Sequence, residues 1–277
     1  MFANALFSAL GNIFVALLVL AGLAIYLTLI RQVGARRSAV TTDVTAFAPP
    51  PRTFGLPEAS LAVALILFLL LNIVVSFERT SPVTLKPEDL RANFLFSLFV
   101  VFFVAGFLRL RGFDLDGLGG FSKTSLKRTV STAIILLLAA TPLIAVAEGL
   151  TQSFFGGEST KQEIVDLFNN SGTIQERVTI IVLAVVVAPM SEEFIFRFFI
   201  YGVLRRYFGV AVGLVLNALL FAAAHGHLPS AAPLFVLGVC FTLAYEWSGS
   251  ILVSMAMHAL FNSAQLIFLA FPELVQR

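Results

Sequence analysis

Long apolar runs separated by short polar segments make up most of this chain. A helix that crosses a membrane needs about 20 consecutive apolar residues, and about eight runs approach that length. They extend from Ala3 to Ile30, Ala59 to Phe77, Asn93 to Leu108, Val130 to Leu150, Val178 to Leu204, Phe208 to His225, Ala231 to Trp247 and Ile251 to Phe271. The pattern predicts an all-α, polytopic transmembrane bundle of about eight helices.

The fifth run differs from the others because polar residues interrupt it. Pro189, Ser191, Glu192, Glu193 and Arg197 lie inside a stretch that is otherwise apolar. We therefore divide the membrane domain into residues 1–177, which supply N-terminal spans and loops, and residues 178–271, whose spans carry the polar motifs.

Two longer polar segments connect the runs, and both are too short to form a second hydrophobic core. The segment from Arg31 to Arg52 ends in Pro49, Pro50 and Pro51, which predicts an extended linker. The segment from Gly156 to Arg177 is compatible with a short interfacial helix and equally with an ordinary loop.

Composition supports a membrane protein and excludes several other classes. Of the 277 residues, 58% are hydrophobic and 12% charged, whereas soluble domains carry about a quarter charged residues. The formal charge of +2 is too small to indicate a nucleic-acid partner. A lone cysteine, Cys240, allows neither an intramolecular disulfide nor a cysteine-based metal cluster.

Lysine and arginine are distributed unevenly between alternate connections. Short cytoplasmic loops are enriched in these residues. The richer set comprises Arg31, Arg36, Arg37, Arg52, Arg109, Arg111, Lys123, Lys127, Arg128, Arg205 and Arg206; the poorer comprises Arg79, Lys86, Arg91, Lys161, Arg177 and Arg277. With eight spans, this distribution predicts that both termini lie outside.

Three charged residues in the fifth run require an explanation. A charge at the bilayer centre costs about 2.5 to 3.5 kcal/mol on insertion scales. Glu193 and Arg197 stand at i and i+4, which favours an ion pair. Glu192 points about 100° away on a helix and has no partner there. Taken alone, these residues are also compatible with two short helices joined by a solvent-exposed turn from Ser191 to Glu193.

Two later runs carry polar side chains at helical spacing. Asn217, Phe221 and His225 are four residues apart, so they share one helix face. His258 and Asn262 repeat that spacing in the eighth run. Three helices that bring Glu, His and Asn residues together are harder to explain as packing than any one of them.

The ordered motifs Glu192-Glu193-x-x-x-Arg197, Phe221-x-x-x-His225 and His258-x-x-x-Asn262 resemble those of a known family. That family is the CAAX protease and bacteriocin-processing enzymes, including the type 2 CAAX prenyl endopeptidases. The resemblance covers the last third of the chain, and it implies an eight-helix membrane protease. The N-terminal half has no comparable motif.

The resemblance implies roles for these residues that suit amide hydrolysis. Glu192 and His225 would activate a water, His258 and Asn262 would stabilise the oxyanion, and Glu193 would matter for activity together with Arg197. From their position on the face of His225, Phe221 and Asn217 are expected to support the cavity. No cofactor is expected. The alternative is a zinc site in which Glu192, His225 and His258 are ligands.

The sequence leaves the substrate open. Prenylated C-terminal tails, leader peptides and regulatory membrane proteins are all compatible with a membrane-embedded site, and lipids are the other expected partners. We expect a multi-pass protein of the cell membrane. The competing hypothesis is a non-catalytic binding, transport or immunity protein whose buried charges hold an ion or a partner helix.

Overall fold

The computed structural model describes residues 2–40, 52–78, 87–155 and 173–271, and this part of the chain is helical without strands. The helices are α1 Phe2–Val40, α2 Leu56–Glu78, α3 Pro87–Leu110, α4 Leu115–Gly119, α5 Leu126–Phe155, α6 Ile174–Val182, α7 Ala188–Glu193, α8 Tyr201–Ala224, α9 Ala231–Ser248 and α10 Ile251–Ala270. Two π-helical segments, Leu183–Val187 and Phe194–Ile200, flank α7. The predicted all-α fold is confirmed.

Seven helices in the described ranges are long and apolar enough to cross a membrane. The longest has 51 residues, from Ile174 to Ala224, which would extend about 76 Å if it were straight. It is not straight, because Gly209 has φ 78° and ψ 175°. The rings of Phe196 and Phe221 lie 5.5 Å apart, so the two halves are antiparallel. The fold-back yields the predicted fifth and sixth spans.

Glycine permits this reversal because a residue with a Cβ rarely adopts a φ near +78°. A second glycine, Gly238, allows α8 and α9 to approach closely. A Cβ at Gly238 would lie 3.2 Å from the Cα of Ala218 and 3.3 Å from the ring of Phe221. Gly209 therefore forms the hairpin, and Gly238 lets α9 pack tightly against it.

The predicted linker from Arg31 to Arg52 was wrong for its first part, since α1 continues to Val40. The sequence from Arg31 to Val40 contains no proline or other strong helix breaker except Gly34, so the helix outlasts the apolar run. The rest of that linker up to residue 51, and most of the segment from Gly156 to Arg177, lie outside the described residues.

Several contacts join helix ends at one end of the bundle, which we call the basic end. Arg36 Nη1 donates to the Trp247 carbonyl at 2.8 Å, joining α1 to α9. Arg205 contacts the Glu246 carboxylate, joining the hairpin to α9. Tyr245 Oη donates to the Leu118 carbonyl at 2.8 Å. Arg36 and Arg205, two members of the richer set of lysines and arginines, therefore lie at this end.

The buried core is densest where α8, α9 and the second π segment meet. Side chains that are fully or almost fully buried there include Phe198, Phe199, Ile200, Tyr201, Phe221, Leu237 and Phe241. By contrast, α1 to α3 expose many large apolar side chains, as expected of surfaces that face acyl chains. The polar motifs lie next to the most deeply buried part of the bundle.

Candidate active site

The two glutamates lie at the end of a one-and-a-half-turn helix between two π segments. In the first segment the Ala188 N–H donates to the Leu183 carbonyl, which is the i−5 spacing of a π-helix. In the second, the Tyr201 N–H donates to the Phe196 carbonyl. Widened turns of this kind frequently occur at functional sites. The helix is thus irregular where Glu192 and Glu193 project.

Glu193 and Arg197 form the ion pair that their spacing predicted. Arg197 Nη1 lies 2.9 Å from Glu193 Oε1, and both side chains are fully buried. The guanidinium also lies 4.1 Å from the centroid of the Phe221 ring, a cation–π distance. Its Nη2 donates to the Gly238 carbonyl at 3.5 Å. Arg197 therefore ties the site helix to α8 and α9.

Glu193 has a second partner that the sequence did not reveal. His258 Nδ1 lies 2.9 Å from Glu193 Oε1. Because this oxygen also contacts Arg197, we assign the carboxylate as the acceptor and Nδ1–H as the donor. The hydrogen bond fixes the imidazole so that Nε2 is the atom facing the site. Glu193 consequently orients His258, in addition to pairing with Arg197.

Glu192 faces two imidazole nitrogens from different helices. Its Oε2 lies 3.9 Å from His225 Nε2 and 4.0 Å from His258 Nε2. His225 Nδ1 lies 2.8 Å from the Phe221 carbonyl and donates to it, so neutral His225 presents a lone pair at Nε2. The separations exceed a direct hydrogen bond but suit one bridging water. Glu192 Oε2 has no hydrogen-bond partner among the described residues.

Asn262 contacts the backbone of the first π segment. Its Nδ2 donates to the Ala184 carbonyl at 2.8 Å. In the π spacing that carbonyl would accept from residue 189, but Pro189 has no N–H. Asn262 thus satisfies an acceptor that the proline leaves unpaired. One amide hydrogen of Asn262 is used in this way.

Phe221 contacts both site imidazoles, and Asn217 lies one turn earlier on α8. The Phe221 ring lies 4.7 Å from the His225 ring and 5.9 Å from the His258 ring. Asn217 is fully buried and donates to Thr242 Oγ1 at 3.2 Å. Asn217 therefore braces α8 against α9.

Three supporting residues were missed in the sequence: Gly238, Phe241 and Thr242. Thr242 Oγ1 donates to the Gly238 carbonyl at 2.8 Å, the same carbonyl that Arg197 uses. The Phe241 ring lies 5.0 Å from that of His258. The i,i+4 spacing of Gly238 and Thr242 was the available signal, but small residues at that spacing are common in membrane helices.

Other polar groups near the motifs have local structural roles. Ser191 Oγ donates to the Val187 carbonyl at 2.9 Å, within its own helix. His227 Nδ1 lies 2.9 Å from Ser230 Oγ in the turn after α8. Cys240 is buried on α9.

Comparisons with known proteins agree with the motifs. The model of the family "Type II CAAX prenyl endopeptidase Rce1-like" matches residues 174–264. The chain is also 29% identical to the membrane-embedded CAAX protease MroQ of Staphylococcus aureus (strain USA300). The chain is therefore similar to CAAX proteases in the region that carries the motifs.

The matches with CAAX proteases are partial. The similarity to MroQ extends over 136 residues, 46% of this chain and 53% of MroQ, so the chain spans about half the length of that relative. No solved structure matches the chain. All seven motif residues that the sequence singled out, from Glu192 to Asn262, lie inside the family match.

Proposed function

We propose that this chain is a membrane-embedded endopeptidase of the CAAX type, in which Glu192 activates a water for peptide hydrolysis. The observation that carries the proposal is the convergence of Glu192 Oε2 with the Nε2 atoms of His225 and His258, at 3.9 and 4.0 Å. A carboxylate and two imidazoles around one water-sized gap suit general acid–base chemistry.

The first step is attack by water. A water between Glu192 and His225 donates one hydrogen bond to Glu192 Oε2 and another to His225 Nε2. Glu192 takes the proton as the water oxygen bonds to the substrate carbonyl carbon, and the carbonyl electrons move to its oxygen. Glu192 then returns the proton to the amide nitrogen as the C–N bond breaks. Water is consumed, and a carboxyl group and an amine are released.

The tetrahedral intermediate requires donors for its negative oxygen. His258 can donate a hydrogen bond from Nε2 to this oxygen when both ring nitrogens carry a proton and Nδ1–H remains bonded to Glu193. The resulting imidazolium is positively charged, and the Glu193 carboxylate at 2.9 Å stabilises that charge. The second amide hydrogen of Asn262 is the other donor. Glu193 and Arg197 would act by positioning.

The substrates are peptides or proteins held at the membrane, with lipids as the surrounding solvent. Prenylated C-terminal tails, the substrate class in the name of the matching family, are one candidate. Leader peptides and regulatory membrane proteins are the others. We place the protein in the cell membrane as part of the proposal.

Zinc catalysis is the competing mechanism, and one observation favours it. Both imidazoles present Nε2 to Glu192 while their Nδ1 atoms bond to a carbonyl and a carboxylate, as zinc-bound histidines commonly do. However, zinc bonds of about 2.0 to 2.1 Å in tetrahedral geometry separate ligand atoms by about 3.3 Å. The observed separations of 3.9 and 4.0 Å are wider. We therefore favour the mechanism without metal.

The proposed activity is tested by comparing new peptide termini in membranes that contain active protein with those in membranes that contain Glu192→Gln. Glu58→Gln is the matched control, since it makes the same chemical change at a buried glutamate outside the site. Cleavage products should appear with the unaltered protein and the control, and disappear with Glu192→Gln. Identical termini in all three membranes would support a non-catalytic binding, transport or immunity protein.

The mechanism is tested on purified active protein by measuring metal content and activity together. Hydrolysis should persist after thorough chelation and should not increase when zinc is added. About one zinc per chain, lost and restored together with activity, would instead make Glu192, His225 and His258 ligands. Measuring metal content is necessary because some chelators perturb membranes.

A further inference from the structure

The segment that carries the two glutamates is joined to α10 at two points. The first is the contact of 2.9 Å between His258 Nδ1 and Glu193 Oε1. The second is the hydrogen bond of 2.8 Å from Asn262 Nδ2 to the Ala184 carbonyl. His258 and Asn262 are four residues apart and share one face of α10. Their partners are nine residues apart, yet both face α10.

A regular α-helix would not present Ala184 and Glu193 to the same neighbour. At about 100° per residue, nine residues correspond to about 180°, which places the two on opposite faces. The first π segment, Leu183–Val187, changes this relation, because an i→i+5 turn holds one residue more than an α-turn. The effective spacing becomes about eight residues, and the angle falls to about 80°. The widened turn thus brings both points of contact to the side of α10.

Pro189 opposes the regular α-helical spacing in this segment. In that spacing its ring would clash with the carbonyl of Val185, four residues earlier. Proline also lacks the N–H that would reach the Ala184 carbonyl across a π turn. Pro189 therefore favours the widened turn and leaves the Ala184 carbonyl to Asn262.

An alanine in place of Pro189 would remove both of these effects. In the α spacing the Ala188 N–H reaches the Ala184 carbonyl, and in the π spacing the new N–H of residue 189 reaches it. In either spacing the backbone satisfies this carbonyl without Asn262. A change to the α spacing would also turn Glu193 by about 100° relative to Ala184.

We infer that Pro189 is a positioning residue of the site, which holds the widened turn and reserves the Ala184 carbonyl for Asn262. Through these two effects it keeps His258 and Asn262 in register with the glutamates. The consequence for turnover rests on the proposed function, in which Asn262 stabilises the oxyanion. An oxyanion donor acts from a fixed position, and a displacement of about 1 Å can cost about a hundredfold in rate.

A double-mutant cycle between Pro189→Ala and Asn262→Ala tests the inference on a substrate identified by the comparison of termini. In Pro189→Ala, kcat should fall about a hundredfold with KM little changed. Adding Asn262→Ala should then lower kcat and Tm less than it does in the unaltered protein. Pro142→Ala is the matched control, because it removes a proline inside α5, a helix without a motif residue. Additive losses in the cycle, or an equal loss of kcat in Pro142→Ala, would overturn the inference.

A deletion tests the widened turn itself. Removing Val186, which is 47% exposed, leaves Ala184 and Glu193 eight residues apart, so that a regular helix presents both to α10. In the Pro189→Ala background this deletion should raise kcat by about tenfold or more, and no recovery would overturn the role of the widened turn. The deletion variant also tests the inference if the Pro189→Ala protein does not fold. Absence of hydrolysis in the unaltered protein would contradict the proposed function, while the melts of the cycle would still decide whether Pro189 determines the partner of Asn262.

Discussion

Two glutamates are buried in this bundle, one in the N-terminal part and one in the candidate site, and their carboxylates differ in their hydrogen-bond partners. Glu58 on α2 is 1% exposed, and both its oxygens are engaged: Oε1 by Arg111 Nε at 2.9 Å and Oε2 by the Gly55 N–H at 2.7 Å. Glu193 uses Oε1 for Arg197 and His258. Its Oε2 has no hydrogen-bond partner among the described residues.

The difference separates a structural carboxylate from one in the proposed reaction centre. Arg111 is 38% exposed, so water shares in the stabilisation of the Glu58 pair. Arg197 is fully buried, and the Glu193 pair relies on the protein alone. Glu193 also touches an imidazole that faces Glu192, whereas the described contacts of Glu58 include none of the motif residues. An acid that is incompletely satisfied next to other titratable groups is where chemistry is expected.

The largest expected effect comes from Glu192→Gln, which should abolish hydrolysis without altering the fold. The amide keeps the volume of the side chain but is a very poor base, and general base catalysis contributes about 10² to 10⁴ in rate. Steady-state hydrolysis and a detergent thermal melt measure the two effects. Near-normal turnover in Glu192→Gln would remove this residue from the mechanism.

The next largest effect concerns Arg197→Ala, which leaves the buried Glu193 without its counter-charge. Breaking a buried ion pair from one side costs about 3 to 5 kcal/mol. The double variant with Glu193→Gln and Arg197→Gln should be milder for folding, because no unpaired charge remains. Thermal melts of the Arg197→Ala, Glu193→Gln and double variants compare their stabilities. A double variant as unstable as Arg197→Ala would contradict the pairing.

Asn262→Ala should lower turnover by about 10² to 10³, the usual effect of removing an oxyanion donor. It should also destabilise the protein by about 1 to 3 kcal/mol, because the Ala184 carbonyl loses its partner. Separate measurement of kcat and KM, together with a melt, distinguishes the two roles. Loss of stability with full turnover would leave Asn262 as a brace for the π segment and not a donor.

His258→Ala also removes a proposed oxyanion donor, so its turnover should fall by about 10² to 10³, as in Asn262→Ala. The matched control is His227→Ala, which removes an imidazole that contacts Ser230 in the turn after α8. Only the change at His258 should impair kcat. Equal losses in both variants would indicate a general effect on the bundle instead of loss of an oxyanion donor.

Much of the fold followed from the sequence because membrane helices require long apolar runs. The runs located each candidate span in the described residues, including the two joined at Gly209. The course of α1 beyond Ile30 did not follow, because an apolar run indicates where lipid ends and not where a helix ends. Arg36 illustrates this point, since a charged residue outside the run still lies on α1 and bonds to Trp247.

The site was predictable where spacing along one helix decides a contact. Glu193 and Arg197 are i,i+4 neighbours, and their contact is present at 2.9 Å. Contacts between helices were harder to predict. The bond from His258 to Glu193 joins residues 65 apart, and the acceptor for Asn262 is a backbone carbonyl, which no side-chain motif reveals. The catalytic roles themselves remain predictions.

Glu58→Gln should have the smallest effect and should act on stability alone. Glutamine retains a carbonyl oxygen that can accept from Gly55 or Arg111, but it loses the charge that strengthens both hydrogen bonds. Because Arg111 is 38% exposed, water can solvate the guanidinium once the carboxylate is gone. We therefore expect a loss of about 1 to 2 kcal/mol, with kcat unchanged per folded molecule. Melting curves and active-site-normalised kinetics measure these quantities. If Glu58→Gln reduced kcat as strongly as Glu193→Gln, the two buried acids would not differ in kind, and the contrast between a structural clamp and a reaction centre would fail.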